Sequence, residues 1–297
     1  MAESVESKNS TTVRSVLSAL QAISPGLAAK LAVATIFRTR RQPGEAWERS
    51  VVEVGERFTV HGPMGELSVH RWGRGPLVML VHGWNGQSGQ LAAFVEPLVR
   101  SGFQVVAFEA PGHGASDGST SSLVDFANAF DAVLDAVKPF FQPLHGVLAH
   151  SMGSAAVMFA LNRAQTRDPG EPGARTPRLV FIAPPIDLGD FVNTVSVELG
   201  LSADTRGVLG KLVERRIGER IENLQALRHA GRIRAPLLVL HDEQDRAVPV
   251  SCGESLVQAW PGAELRKTRG LGHKRILRDP QVIANSIDFI KAPGALS

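Results

Sequence analysis

Three residues of this sequence could together activate a hydroxyl group for attack on a carbonyl carbon. Ser151 lies in the run Ala149–Gly153, which reads A-H-S-M-G. A serine hydroxyl is a weak nucleophile at neutral pH, so it needs a base within hydrogen-bonding reach and a third group that orients the base. His273 supplies the type of residue needed for the base, and Asp245 supplies the type needed for the orienting acid.

The run around Ser151 differs by one residue from the G-x-S-x-G pattern of a nucleophile on a sharp strand-to-helix turn. Only small side chains fit two residues either side of such a turn, and Ala149 meets that need. The alternative for Ser151 is an ordinary helix N-cap, a position that serine also favours. His273, with Gly270 and Gly272 before it, could instead be a hydrogen-bonded residue of a surface loop. The elements that carry these residues must therefore support the interpretation.

Apolar runs along the chain predict a mostly parallel sheet. Residues 57–62 and 66–73 flank a turn and predict an antiparallel hairpin. Further runs are almost continuously apolar, as in strands covered on both faces by helices; they span residues 76–81, 104–109, 146–150, 178–183 and 236–241. Intervening segments such as 89–102 and 122–140 have helical spacing of apolar residues. This alternation predicts an α/β fold built from right-handed β-α-β units.

The interval between the last two of these apolar runs is too long for a single crossover helix. Its helical sequence pattern predicts a small helical cap over residues 186–232. This cap is inserted into a core made of residues 51–185 and 233–297. The charged run 213–220 is expected to form a solvated helix face, with an anion site as the alternative.

Residues 1–50 are predicted to form an N-terminal helical arm. Ser24 followed by Pro25 indicates a helix start, with the serine as N-cap and the proline at the first helical position. The helix that follows is expected to pack on the protein, and contact with a membrane surface or a partner helix is the alternative.

Composition excludes several classes of protein. Of the 297 residues, 43% are hydrophobic and 21% are charged, as in an ordinary globular protein. The net charge of +3 is small and the basic residues are scattered among acids, so nucleic-acid binding is not expected. The single cysteine excludes an internal disulfide. The absence of tyrosine excludes any mechanism that uses a phenol.

The same features bear on the protein's location. The polar N-terminus lacks the charged and apolar regions of a secretory signal. The apolar run at residues 27–37 is far shorter than the roughly 20 residues that span a bilayer. We therefore expect a cytoplasmic protein with no integral membrane segment.

Polar and glycine-rich segments follow the predicted parallel strands, at the sheet edge where open parallel sheets bind ligands. These segments are residues 82–86, 110–116, 151–153, 242–249 and 270–275. Three histidines in or beside them, His82, His113 and His150, lack metal-ligand spacing and are interpreted as hydrogen-bonding loop residues. The sequence predicts no metal and no cofactor.

These features together resemble the α/β-hydrolase fold family over Arg57 to Lys291. The resemblance rests on "VHGW", "PGHGAS", the turn at Ser151, "HDEQDRAVP" and "GLGHKR", which occur in the order that this family shows. It implies an eight-stranded, mostly parallel sheet flanked by helices, with a cap after the sixth strand. The order serine, aspartate, histidine is also the order of that family's catalytic triad.

The resemblance implies that Ser151 is the nucleophile, that His273 is the base and that Asp245 is the acid. Asp242, which takes the place of a common glycine, and two residues after the sixth strand remain alternatives for the acid; these two are Asp187 and Asp190.

The resemblance also implies an oxyanion hole made by the backbone N–H groups of Trp84 and Met152. The indole ring of Trp84 is expected to provide bulk beside this hole, and a core or cap contact is the alternative for it.

The activity that these residues predict is hydrolysis of a small-molecule carboxylic ester through an acyl-enzyme, without a cofactor. The fold also hosts thioesterases, lactonases, peptidases and acyltransferases, so the fold alone does not choose among them. A ligand-binding protein without catalysis is the alternative from a different class. A carboxylate at position 151 would have indicated a dehalogenase, and serine is found there.

Overall fold

Eight segments of the chain form the strands of one sheet in the computed structural model, which describes residues 2–137, 144–167 and 176–292. The strands are β1 (Glu56–Gly62), β2 (Gly65–Trp72), β3 (Leu77–Val81), β4 (Gln104–Phe108), β5 (Leu144–His150), β6 (Arg178–Ile182), β7 (Leu237–Asp242) and β8 (Glu264–Thr268). Their order in the sheet is β1-β2-β4-β3-β5-β6-β7-β8.

Pairing in the sheet is antiparallel only at one side. β1 and β2 form a hairpin, and β2 pairs antiparallel with β4. All other neighbours are parallel, from β4 and β3 through to β7 and β8. The predicted eight-stranded, mostly parallel sheet is therefore confirmed. The carboxyl ends of its parallel strands lie at one edge, where ligands bind in such sheets.

The apolar residues of the central segments explain why these segments form strands. Every residue of β3 and of β4 is buried, and so is every residue of β7. Strands that are covered on both faces carry apolar side chains on both faces. The alternation of apolar and polar residues seen in hairpins is therefore absent from them. Helices cover these faces.

The helices follow the predicted alternation with the strands. They are α1 (Ala2–Ile23), α2 (Pro25–Ile36), α3 (Ala46–Glu53), α4 (Ala92–Arg100), α5 (Leu123–Val137), α6 (Met152–Arg167), α7 (Leu188–Glu198), α8 (Ala203–Ile217), α9 (Leu227–Ala230), α10 (Val250–Ala259), α11 (Gly272–Arg275) and α12 (Pro280–Lys291). Residues 138–140 of the predicted helical segment 122–140 lie outside the described residues. Among the helices that the structure describes, none is both long and apolar enough to cross a membrane.

Two compact units make up the chain. The first combines the N-terminal residues up to Arg38 with the insertion Asp187–Gln225, and the second comprises Thr39–Ile186 and the chain from Ala226 onward. The insertion lies within the predicted cap at 186–232. The N-terminal part of the first unit ends before residue 50, the predicted end of the arm.

Residues 39–48 belong to the second unit because they bind loops of that unit. The Thr39 hydroxyl donates to the carbonyl oxygen of Gly112 at 2.7 Å. Further along, the Arg278 guanidinium donates to the Glu48 carboxylate at 2.9 Å. Such long-range polar contacts cannot be read from local composition.

The described secondary-structure elements of the first unit are helices. The hydroxyl oxygen of Ser24 accepts the N–H of Leu27, and Pro25 is the first residue of α2. α2 packs against α8. α8 ends before Gly218, whose φ of +71° is left-handed, so the charged run at 213–220 is not one continuous helix.

Candidate active site

Ser151 lies on the turn between β5 and α6 with a φ of +50°. Residues other than glycine rarely adopt this left-handed region, and holding one there costs about 1–3 kcal/mol. Its N–H donates to the carbonyl oxygen of Ile182 at 2.9 Å, which fixes the turn. A Cβ at Gly153 would lie 2.5 Å from the carbonyl oxygen of His82 and 2.6 Å from that of Val81, so only glycine fits. The turn therefore has the geometry of a nucleophile elbow.

The structure brings three predicted residues together at this turn. Oγ of Ser151 lies 3.0 Å from Nε2 of His273, and Nδ1 of the same ring lies 2.7 Å from Oδ2 of Asp245. A carboxylate can only accept a hydrogen bond, so Nδ1 carries the proton and Nε2 is left to accept from the serine hydroxyl. The Ser151 side chain is thus bonded to His273, whereas an N-cap would bond to its own helix.

The surroundings of Asp245 favour its ionised form. Its Oδ1 accepts the N–H groups of Ala247 at 2.8 Å and Val248 at 2.9 Å, which leaves Oδ2 for His273. Burial by itself would raise the pKa of Asp245. The hydrogen bond from His273 and the two N–H groups outweigh burial and hold the pKa below its ordinary value. The carboxylate is therefore charged whenever His273 needs an anionic partner.

Asp242, one of the alternative acids, supports the segment that leads into α11, the short helix that contains His273. Its Oδ2 accepts the Thr268 hydroxyl at 2.8 Å and the Leu271 N–H at 3.0 Å, and its Oδ1 accepts the Gln244 N–H at 3.0 Å. Burial alone would raise the pKa of Asp242, but backbone N–H groups and the Thr268 hydroxyl lower it overall. Asp242 therefore supports this segment, and its place at the strand end was the available sequence signal for that role.

The other alternative acids lie in the first unit. The Asp187 carboxylate accepts the Gly189 N–H at 2.7 Å and the side-chain amide of Gln225 at 3.0 Å. The side chain of Asp190 lies outside the part of the structure that is described. Asp245 is the aspartate that contacts His273.

The loop after β3 brings a second predicted group to Ser151. A Cβ at Gly83 would lie only 3.2 Å from Cβ of Ser151, so this loop packs directly against the elbow. Trp84 follows Gly83 in this loop, and Met152 is the first residue of α6. Among the described residues, none accepts a hydrogen bond from the backbone N–H of Trp84 or Met152. Both N–H groups can therefore bind an external oxygen atom, and that of Met152 also lies at a helix N-terminus.

The indole ring of Trp84 packs at the same place. It stacks on Phe126 with ring centroids 6.3 Å apart and makes a T-shaped contact with His113 at 5.4 Å. The aromatic contact that sequence reasoning kept as an alternative for this ring thus coexists with an available N–H.

The three histidines at the strand ends make loop hydrogen bonds. His82 and His113 bond to backbone groups of the loops after β3 and β4, and Nε2 of His150 donates to the carbonyl oxygen of His273 at 3.0 Å. Burial lowers the pKa of His82 to about 3 and that of His113 to about 4. Burial, followed by the nearby charge of His273, lowers the pKa of His150 to about 3. All three rings are neutral at physiological pH.

A polar cleft of about 300 Å³ adjoins the loop that carries Trp84. Its walls come from residues 42–48, 84–90 and 274–278, all within the second unit. The two carboxylates in its wall, Glu45 and Glu48, both accept from Arg278. The cleft therefore presents hydrogen-bonding groups and an ion-pair cluster in which two carboxylates share one guanidinium.

Comparisons with known proteins agree with this geometry. A family model described as serine aminopeptidase, S33, matches residues 75–216. The pimeloyl-[acyl-carrier protein] methyl ester esterase of Methylococcus capsulatus is 30% identical over 230 residues, which cover 66% of this chain and 87% of that protein. The chain belongs to the α/β-hydrolase family.

Other members resemble this α/β-hydrolase over most of its length. The monoacylglycerol lipase of Mycolicibacterium smegmatis is 27% identical over 250 residues, which cover 69% of this chain and 83% of that protein. The structure of a Pyrococcus furiosus esterase superposes with a TM-score of 0.63 and 17% identity, covering 85% of this chain and 98% of the esterase. The predicted family and fold are therefore confirmed.

Proposed function

We propose that this α/β-hydrolase cleaves a small-molecule carboxylic ester through an acyl-enzyme formed on Ser151. The observation that carries the proposal is the continuous chain of hydrogen bonds from Ser151 through His273 to Asp245. The two relatives described above, an ester esterase and a lipase, support an ester-acting hydrolase.

In the first half of the reaction, Oγ of Ser151 attacks the ester carbonyl carbon while Nε2 of His273 takes the hydroxyl proton. Asp245 keeps the proton of the neutral ring on Nδ1 and stabilises the imidazolium that forms. The carbonyl oxygen becomes an oxyanion and accepts hydrogen bonds from the N–H groups of Trp84 and Met152. His273 then donates its Nε2 proton to the departing alkoxide oxygen, and the alcohol leaves.

The second half repeats the same steps with water. His273 takes a proton from a water molecule, whose oxygen attacks the acyl carbon. The second oxyanion uses the same two N–H donors. When it collapses, Oγ of Ser151 leaves, receives the proton from His273 and releases the carboxylic acid. Each group returns to its starting state, so no cofactor enters the balance.

The experiment compares the wild type with Ser151→Ala on p-nitrophenyl esters of graded acyl length. We expect the variant to keep its fold by circular dichroism and to lose at least about 10⁴-fold in kcat. A fluorophosphonate probe should label the wild type at Ser151 and leave the variant unlabelled. Hydrolysis retained by Ser151→Ala, or a folded wild type that the probe does not label, would overturn the proposal.

Aminopeptidase activity is a second candidate, because the matching family model is described as a serine aminopeptidase. Such a substrate carries a free ammonium group, which needs an available carboxylate. In the cleft beside Trp84, Glu45 and Glu48 already accept from Arg278. We therefore expect p-nitrophenyl esters to be cleaved and aminoacyl p-nitroanilides to be left intact. The opposite preference would favour the aminopeptidase.

A further inference from the structure

The direction of the Trp84 N–H is set by the carbonyl group of the preceding residue. Gly83 C=O and Trp84 N–H belong to one peptide group, and no cis peptide bond occurs in the described chain. Because a trans peptide is planar, its C=O and N–H point in opposite directions. Gly83 O accepts from Nδ1 of His82 at 2.7 Å and from the N–H of Gly86 at 3.0 Å. Whatever holds this oxygen therefore also aims the Trp84 N–H.

The proton position of His82 is imposed by a different loop. Its Nε2 accepts the backbone N–H of Ala110, in the loop after β4, at 3.1 Å. An acceptor nitrogen carries no proton in a neutral imidazole, so the proton is on Nδ1 and can be donated to Gly83. The His82 side chain is almost completely buried, at 1% exposure. Both nitrogens are therefore shielded from bulk solvent.

His113 makes the reverse connection. Its Nε2 accepts the N–H of Asn85 at 3.0 Å, and its Nδ1 donates to the carbonyl oxygen of Pro111 at 2.9 Å. Asn85 has a left-handed φ of +56°, and its Oδ1 accepts the N–H of Arg40 at 2.8 Å. The strained residue next to Trp84 is thus held at both its backbone and its side chain.

The two rings form a reciprocal link between the loops. His82, after β3, accepts an N–H from the loop after β4. His113, after β4, accepts an N–H from the loop after β3. Their centroids are 5.1 Å apart. Neither ring bonds to Ser151 or His273 among the described contacts, so neither has a part in the proton transfers.

We propose that His82 and His113 are a reciprocal pair of positioning residues that aim the Trp84 N–H at the oxyanion. The inference rests on the proposed function. An oxyanion donor lowers the barrier only when it already points at the place where charge develops, because reorienting it during the reaction would consume its advantage. The Gly83–Trp84 peptide is held in this way before any substrate binds. Both rings must stay neutral, since a protonated Nε2 would oppose the N–H that it now accepts.

Amide substitutions test each ring nitrogen separately, because asparagine places its amide near Nδ1 and glutamine places it near Nε2. His82→Asn keeps a donor for Gly83 O, whereas His82→Gln does not. His113→Gln keeps an acceptor for the Asn85 N–H, whereas His113→Asn does not. We expect the preferred amide to be opposite at the two positions. The unfavourable variant at each position should lose about 10- to 100-fold in kcat, with KM changed by less than about twofold. The favourable variant should have a kcat at least about five times that of the unfavourable variant at the same position.

A trifluoromethyl ketone provides a readout that a general loss of structure would not move. Ser151 adds to its carbonyl, and the resulting oxyanion needs the same donors as the reaction. The inhibition constant should rise in parallel with the loss of kcat, while that of the matching unreactive methyl ketone stays constant. Thermal melting of the same samples corrects for any unfolded fraction.

Three results would overturn the positioning role: the same preferred amide at both positions, losses that follow melting temperature alone, or an unchanged trifluoromethyl ketone constant. Labelling of Ser151 by fluorophosphonate separates this failure from failure of the proposed function. A labelled, active wild type without the crossed amide preference overturns only the positioning role. An unlabelled wild type overturns the ester hydrolase itself and the role that depends on it.

Discussion

His150, the residue before Ser151, is hydrogen bonded to the backbone of His273. Its Nε2 donates to the carbonyl oxygen of His273 at 3.0 Å, and the centroids of the two rings are 4.7 Å apart. His150 is buried, at 2% exposure. The end of β5 and α11, which contains the proposed base, are therefore connected by a short contact, independently of the bond between Ser151 and His273.

Loss of the His150 contact should reduce turnover more than substrate binding. We expect His150→Phe to lower kcat by about 10- to 100-fold, because a small displacement of His273 lengthens its bond to Ser151. His150→Gln keeps a donor near Nε2 and should retain more activity. Steady-state kinetics on one p-nitrophenyl ester, with melting temperatures, measure both effects. Wild-type kcat in the phenylalanine variant would contradict this role.

Substitution of the two strand-end aspartates should separate catalysis from loop support. Asp245→Asn should lower kcat by about 10⁴-fold, because an amide can hold His273 in the wrong tautomer. Asp242→Asn leaves the Asp245 carboxylate in place but removes an acceptor for the N–H of Leu271 or Gln244. It should lower the free energy of unfolding by about 1–3 kcal/mol and reduce kcat less than Asp245→Asn does. Kinetics and urea unfolding of both variants test this. The reverse pattern would make Asp242 the acid.

The free energy of unfolding should fall as the pH is lowered below about 6.5, the ordinary histidine pKa. Burial holds the pKa of His82 and His150 at about 3 and that of His113 at about 4, so these rings stay neutral in the folded protein. Between pH 6.5 and these folded-state pKa values, the unfolded chain binds protons at the three histidines and the folded protein does not. Stability is then lost on acidification by about 1.4 kcal/mol per pH unit for each histidine.

Urea unfolding at pH 7.5, 6.5 and 5.5 measures this slope. Replacing one titrating ring by His150→Phe should reduce the slope by about 1.4 kcal/mol per pH unit below pH 6.5. The aspartates have lowered pKa values, so they contribute stability above their unfolded pKa that is lost only below about pH 4. A flat stability curve down to pH 5.5 would show that the histidines are not held neutral.

Gly153→Ala should destabilise the elbow, because its Cβ would approach backbone oxygens of β3 and of His82 to within 2.6 Å. One oxygen belongs to the last residue of β3 and the other to the residue after it, so moving them would disturb the sheet; we expect a cost of about 2–3 kcal/mol and slower fluorophosphonate labelling. Gly207→Ala in α8 is the matched control, since its Cβ would meet nothing within 4 Å. It should be neutral or stabilise by up to about 1 kcal/mol. Equal effects in chemical unfolding would contradict the steric argument.

Local patterns predicted most of the fold. Strands such as β3 and β7 lie where near-continuous apolar text indicated strands covered on both faces. The start of α2 at Pro25 follows from the capping chemistry of Ser24. These features depend on residues within a few positions of each other, which is why the sequence predicts them well. The family and the ester-acting hydrolase class were also predicted, and relatives bear them out.

Predictions were weaker where distant segments meet. The first unit ends at Arg38, and the next residue, Thr39, bonds to Gly112 from far along the chain. His82 and His113 were identified as hydrogen-bonding loop residues, but their reciprocal link was not. Their position at the ends of adjacent strands was the available signal, and it did not specify which backbone N–H each ring would accept.

The sequence by itself determined the sheet, its elbow and the residue types at its carboxyl edge, because periodicity, capping and turn chemistry act over short stretches of chain. Only the tertiary structure decided that Asp245 contacts His273 while Asp242 supports its loop. It also decided which nitrogen of His82 carries the proton. Hydrogen bonds require donor and acceptor to meet within about 3 Å, and that meeting depends on how separate loops pack together.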